Sequence, residues 1–191
     1  MARKGRDRWR TKEWYDVIAP PMFASRKIGE TPASDPKQIP GRVMEKTLGE
    51  LIDDFSKSHV KLYFKMKEPE GKKIPTEFVG HDMAREYIRS QVRRRITKVD
   101  CIVDVVTSDG RKLRVTAMAI SFRRIRSSHV ASIRRGMRET IIRRAKKLSF
   151  DQFVQEVVLG KLSSDIYKEI RNICPIKQVE VQKTKVLQEP S

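Results

Sequence analysis

Between Phe122 and Lys147 the chain reads FRRIRSSHVASIRRGMRETIIRRAKK, with Arg123, Arg124, Arg126, Arg134, Arg135, Arg138, Arg143, Arg144, Lys146 and Lys147 set against one acid, Glu139. From Val130 onward, Val130, Ile133, Met137, Ile141, Ala145 and Leu148 recur at helical spacing. One stripe can therefore pack on a core while the arginines take its flanks and outer face. Solvated helix faces usually mix Glu with Lys, because i,i+4 pairs of opposite sign stabilise a helix and like charges destabilise it. A helix with this charge asymmetry is expected to dock on a fold by one face and meet phosphate with the other.

The rest of the composition agrees in sign. Lys plus Arg number 42 against 24 Asp plus Glu, a net charge of +18 in 191 residues, which a compact body tolerates best beside a polyanion. The length suits one domain, since domains run roughly 100–200 residues. A membrane partner would need an apolar anchor or an amphipathic helix with large apolar residues opposite its basic face. The start, MARKGRDRWR, is not followed by the apolar region of a secretory signal, and no run approaches a transmembrane span. Cys101 and Cys174 are distant in sequence, lie in apolar settings and form no CxxC pair, so they read as buried thiols. The expectation is a soluble cytoplasmic protein with no membrane partner and no small-molecule substrate.

Residues 1–13 form a basic arm carrying Arg3, Lys4, Arg6, Arg8, Arg10 and Lys12, in which Trp9 is open to two readings, stacking on a base or tucking against the domain. Residues 14–187 are expected to form a single α+β domain, with a short tail at 188–191. Trp14–Ile18 is β-prone, and residues 20–40, rich in proline, are expected to be a long loop. Val43, Glu45 and Thr47 alternate as in a strand, and Leu48–Phe55 suits a helical turn. Val60–Lys67 is the clearest strand, apolar at Val60, Leu62, Phe64 and Met66, with Thr76–Gly80 as its answering strand. Met83–Ile96 reads as a helix capped by Asp82 and ending in Arg93, Arg94 and Arg95. Val99–Val106 and Lys112–Phe122 alternate around Asp109-Gly110, a strong hairpin signal. Ser149-Phe150-Asp151-Gln152 has capping-box form before an apolar helical stripe, Ser163 or Ser164 can cap a further helix, and Ile176–Leu187 returns to alternation with Lys177, Lys183 and Lys185 outside.

Catalytic constellations are weak. His59, His81 and His129 have no metal-ligand spacing, and His81-Asp82 beside Glu77 is the one cluster suited to acid–base work. Asp100 and Asp104 share a strand face but stand roughly 13 Å apart, too far for one ion. No glycine-rich phosphate cradle occurs. No catalytic residue, metal ligand or cofactor is expected, and the protein does not read as an enzyme.

Several short motifs follow one another in an order that is specific as a set. They are Trp14-Tyr15 with Val17, Ala19 and Pro20; Ile28-Gly29-Glu30-Thr31 with Asp35-Pro36 and Gly41-Arg42; and Arg89-Ser90 with Arg93-Arg94-Arg95. Asp109-Gly110, Gly160-Lys161-Leu162, Ile166-Tyr167, Pro175-Ile176, Val179-Glu180 and Lys185-Val186-Leu187 complete the series. In these motifs, which span nearly the whole chain, the sequence resembles the archaeal and eukaryotic small-subunit ribosomal protein family known as S three A e, also called the eukaryotic-type S one protein. The chain's length is similar to that of archaeal members. The resemblance implies a largely antiparallel β-sheet curled into a barrel and decorated with helices. It implies a structural constituent of the small ribosomal subunit that binds ribosomal RNA on the platform, near where messenger RNA leaves. Neighbouring platform ribosomal proteins are then partners, and messenger RNA near its exit is a further candidate. The alternative from another class is a transient RNA-binding translation or subunit-maturation factor. The residues expected to meet RNA are the arm cations, Arg93–Arg95, the ten cations of the Phe122–Lys147 stretch, Lys183 and Lys185.

Overall fold

The computed structural model describes Trp9 and residues 12–188. Eight strands and five helices build one α+β domain. The strands are β1 (Glu13–Ile18), β2 (Lys27–Ala33), β3 (Val43–Thr47), β4 (Val60–Met66), β5 (Lys73–Met83), β6 (Lys98–Val106), β7 (Lys112–Ser121) and β8 (Ile176–Gln188). The helices are α1 (Leu48–Ile52), α2 (Arg85–Gln91), α3 (Ser127–Lys147), α4 (Phe150–Val158) and α5 (Lys161–Ile170).

The sheet forks at β5. Along one edge β5 pairs with β4; its other edge is divided between β1, parallel at Lys73–Pro75, and β8, antiparallel at Gly80–Asp82. One branch continues through β1 to β2, the other through β8 to β7 and β6, and β3 closes on β4. The expected barrel does not form. Closure would need β6 to find a partner beyond β7, and β5 has already spent its second edge on two different strands. The free face of β6 carries Asp100 and Asp104, charges of the kind that blunt an edge strand.

Two features at the fork explain why β8 can approach so closely. A Cβ on Gly80 would stand 2.3 Å from the Thr184 carbonyl oxygen, so only glycine fits. Next to it His81 is buried, its Nε2 donating to the Val181 carbonyl at 3.1 Å and its Nδ1 lying 2.7 Å from the Thr184 hydroxyl, which also accepts from the His81 amide. The hydroxyl can donate to a bare Nδ1, so both contacts are met by a neutral imidazole, the form that burial favours. Burial pushes its pKa down to about 4. The histidine weighed for acid–base work is therefore a strap between two strands. Glu77 is held by Lys67 and Arg111, and Asp82 by Lys183 at 2.9 Å.

The core lies between the sheet and α3, α4 and α5. Alternation works as the sequence suggests in β4, where Val60, Leu62, Phe64 and Met66 are buried. Phe23, Phe64, Phe78 and Phe150 make a chain of edge-on and tilted ring contacts that joins β4, β5, α4 and the turn at Pro21–Phe23. The Asp109-Gly110 hairpin is fixed at its tip: the Asp109 carboxylate accepts from the Phe150 amide at 2.8 Å, and Arg111 lies over the Phe150 ring. Asp109 thus does the capping expected of Ser149, whose own side chain makes no cap bond.

Other departures follow from long-range pairing. Residues 20–40 contain β2, because Gly29, Thr31 and Ala33 can pair with β1 despite the prolines around them. β5 runs through Met83, and Asp82 caps nothing; α2 is only seven residues long and starts after Ala84. Gly160, in the left-handed region, precedes α5 in place of a serine cap.

Candidate nucleic-acid interface

The 21-residue helix α3 buries Ile133, Met137, Thr140, Ile141 and Ala145, the stripe legible in the sequence. Its cations then fall into two classes. Arg143 and Arg144 reach across to Glu169 and Asp165 on α5, and Arg134 donates from Nε to the Asp100 carbonyl of β6 at 3.1 Å. These three are tied into the fold. Arg135, Arg138, Lys146 and Lys147 are exposed and make no ion pair among the described residues. The lysines at the C-terminal end complement the helix dipole. Arg135 and Arg138, in mid-helix, have no such reason.

At the other end of α3 the charge opposes the helix. Arg123, Arg124 and Arg126 occupy the connector from β7, with Arg126 at the N-cap, and no acid stands in the first turn. Cations beside the positive end of a helix dipole are unfavourable. They are all exposed.

A second cluster converges on them. Helix α2 ends at Gln91, so Arg93, Arg94 and Arg95 are not in a last helical turn; they form an exposed loop in which Arg95 holds a left-handed backbone (φ 66). Dipole compensation does not account for them. Two residues later, Thr97 is laced to the β7–α3 connector: the Ser121 amide donates to the Thr97 carbonyl at 3.0 Å, the Thr97 amide to the Ser121 hydroxyl at 3.0 Å, and the Ile125 amide to the Thr97 hydroxyl at 3.2 Å. This clamp brings six arginines from two distant segments to one corner, none of them ion-paired among the described residues. Phe122, 58% exposed, sits in the same connector. A flat apolar ring among arginines suits an unstacked base.

The remaining expected contacts are scattered. Arg3, Lys4, Arg6, Arg8 and Arg10 lie outside the described residues. Lys12 stands with its ammonium 3.8 Å from the Trp9 ring centroid. On β8, Lys183 is paired with Asp82, whereas Lys185 is exposed and unpaired among the described residues. Arg85 and Arg89, exposed on α2 at i,i+4 spacing and leading towards Arg93, extend the arginine corner. Their spacing was visible in the sequence but was overshadowed by the triplet that follows.

Asp104 is held by Arg114 through two bonds of 2.7 and 2.8 Å, and Asp100 by Lys98. No group of His, Cys, Asp or Glu suited to a metal ion occurs among the described residues. Nor is any helix among them long and apolar enough to cross a membrane.

The model of the Ribosomal S3Ae family matches residues 1–190. The chain belongs to this family. Among its relatives, the protein named small ribosomal subunit protein eS1 in Methanothrix thermoacetophila is 45% identical over all of this chain and 92% of its own length. The protein of that name in Saccharolobus islandicus (strain L.S.2.15 / Lassen #1) is 42% identical over all of this chain and 93% of its own length. Both relatives are archaeal and of nearly equal span, and the family is one of structural proteins, not enzymes.

Proposed function

We propose that this protein is a structural constituent of the small ribosomal subunit in the cytoplasm. In this reading it holds folded ribosomal RNA on the platform, near the messenger RNA exit and beside other ribosomal proteins. The observation that carries the RNA reading is the corner where Arg93, Arg94 and Arg95 meet Arg123, Arg124 and Arg126 without any carboxylate among the described residues to neutralise them. The names of the relatives support the ribosomal setting. Arg135, Arg138, Lys146 and Lys147 carry the same positive surface along α3, and Lys185 adds to it on β8. The arm cations Arg3, Lys4, Arg6, Arg8 and Arg10 extend it by sequence.

Such a surface contacts phosphates and reads the shape of RNA more than its sequence. Binding of the full chain to small-subunit ribosomal RNA is therefore steeply salt-dependent. If about six phosphates are neutralised, raising salt from roughly 50 to 200 mM weakens it on the order of a thousandfold. A flat salt response defeats the reading. A high-salt wash of purified small subunits separates it from a transient factor: a constituent stays at one copy per subunit, and a factor leaves.

A further inference from the structure

Phe122 leaves β7 as a large apolar side chain with nothing to cover it. Ser121 before it is 1% exposed and Ile125 after it packs against the core, yet the Phe122 ring stands out in solvent and makes no ring or cation contact among the described residues. An apolar side chain alone at a surface is ordinary. This one differs in how firmly its backbone is held and in what surrounds it.

Three segments fix its place. The Phe122 amide donates to the Pro175 carbonyl at 3.2 Å, and Ser121 pairs with Ile176 at the start of β8. Lys177, the next residue of β8, donates to the Gln91 side-chain oxygen at 3.3 Å and so ties the end of α2 to the same strand. Thr97 is bound to Ser121 on both its amide and its carbonyl. The loop with Arg93, Arg94 and Arg95 is therefore anchored at both ends, at Gln91 and at Thr97, to neighbours of Phe122, and it passes beside that residue. Arg123 and Arg124 follow Phe122 directly in the chain. An open ring on a fixed backbone thus stands between two groups of guanidinium groups that have no carboxylate among the described residues.

Charge and shape together say what fits. A protein surface could cover the ring, but the arginines around it call for a polyanion. A continuous RNA duplex answers the charge and not the ring, because its base faces cover one another and only phosphates, hydroxyls and base edges are presented. A nucleotide turned out of the helix answers both, since its base offers a flat face to an aromatic ring and its neighbouring phosphates offer the charge.

We infer that the corner takes RNA at a bulged nucleotide, with the base stacked on Phe122 and the phosphates on either side of it held by the Arg93–Arg95 loop and by Arg123 and Arg124. The inference rests on the RNA reading of the arginine corner and deepens it. The cations supply affinity, and the ring selects a bulge over uninterrupted duplex.

The test compares binding of the full chain to an RNA hairpin with an uninterrupted stem and to the same hairpin carrying one bulged fluorescent aminopurine. The bulged hairpin is expected to bind about tenfold more tightly, as one base–aromatic stack provides, with the same steep salt dependence for both. Phe122→Leu, apolar but not flat, loses this preference and binds the uninterrupted hairpin as the parent does. Phe122→Trp keeps the preference and quenches the aminopurine on binding. Both variants change an exposed side chain and are expected to melt with the parent; if Phe122→Leu melts early, Phe122→Met takes its place with the same expected result. Equal affinity of the parent for the two hairpins overturns the inference and leaves the RNA reading standing. A preference that survives Phe122→Leu overturns it as well. Absence of salt-dependent binding to either hairpin defeats the RNA reading itself, and this inference with it.

Discussion

The two branches of the sheet use the same cations in different ways. In the β1–β5 branch, Lys27 sits between Asp16 and Glu30, Lys46 on Glu50, Lys61 on Glu45, Lys67 on Glu77 and Arg26 on Asp53. In the β6–β8 branch with its approaches and α3, Arg93, Arg94, Arg95, Arg123, Arg124, Arg126, Arg135 and Arg138 have no such partner among the described residues. A net charge of +18 is therefore not spread over the molecule as a uniform coat. Ion pairs occur in both branches, Arg114 on Asp104 and Lys183 on Asp82 among them, and Lys65, Lys72 and Lys73 of the first branch have none among the described residues. What sets the second branch apart is the gathering of six unpaired arginines at one corner, and concentrated charge recognises a polyanion.

The largest expected effect is on RNA binding. Charge reversal of Arg93, Arg94, Arg95, Arg123, Arg124 and Arg126 to Glu is expected to weaken binding to small-subunit ribosomal RNA on the order of a thousandfold or more. Filter binding at fixed salt measures this. Replacing Lys27, Lys46 and Lys61 with Gln should change the same affinity less than about threefold, because those charges are already spoken for. Equal losses from both sets would erase the distinction between the branches.

The joint between the branches is the next point of attack. Gly80→Ala drives a methyl group into the Thr184 carbonyl. It is expected to cost about 3 kcal/mol and to lower the melting temperature by roughly 6–12 °C. A melt within a degree or so of the parent would mean that β5 and β8 do not depend on this close approach.

His81 makes the same joint sensitive to acid. Its folded pKa of about 4 lies below the ordinary 6.5, so in this window the unfolded chain binds a proton that the folded chain refuses. Stability is fully present above the unfolded value and is lost as pH falls from 6.5 towards about 4, by at most about 3 kcal/mol from this residue. Denaturant midpoints across that window report it, and His81→Asn should flatten the slope. The smallest effect is expected at the hairpin tip: Asp109→Ala removes the cap on the Phe150 amide and should cost about 1 kcal/mol, with RNA affinity unchanged.

Local pattern exposed much of this fold. The alternation in Val60–Met66, the Asp109-Gly110 turn and the stripe from Ile133 to Ala145 each needed only neighbours a few residues away, and each stands in the structure. Elements that needed distant partners were misread. β2 is strand because β1 is beside it, Asp82 is drawn from helix capping to Lys183 on β8, and the sheet forks where a barrel was expected because β1 and β8 share one edge of β5. The candidate site divides in the same way. The basic stretch was legible as a list of cations. That Arg143 and Arg144 are claimed by α5 was not, since Glu169 and Asp165 lie more than twenty residues away.

By itself the sequence determined that α3 is a helix docked by one apolar stripe, that a hairpin delivers it, and that the chain carries far more cations than it can pair. Those properties follow from short-range periodicity and composition, which no distant contact can alter. Only the tertiary structure decided which cations are left over. Ion pairing acts over a few ångströms of space with no regard for distance along the chain. The Thr97–Ser121 clamp gathers six arginines at one corner, while Glu169 and Asp165 of α5 draw Arg143 and Arg144 away from solvent pairing.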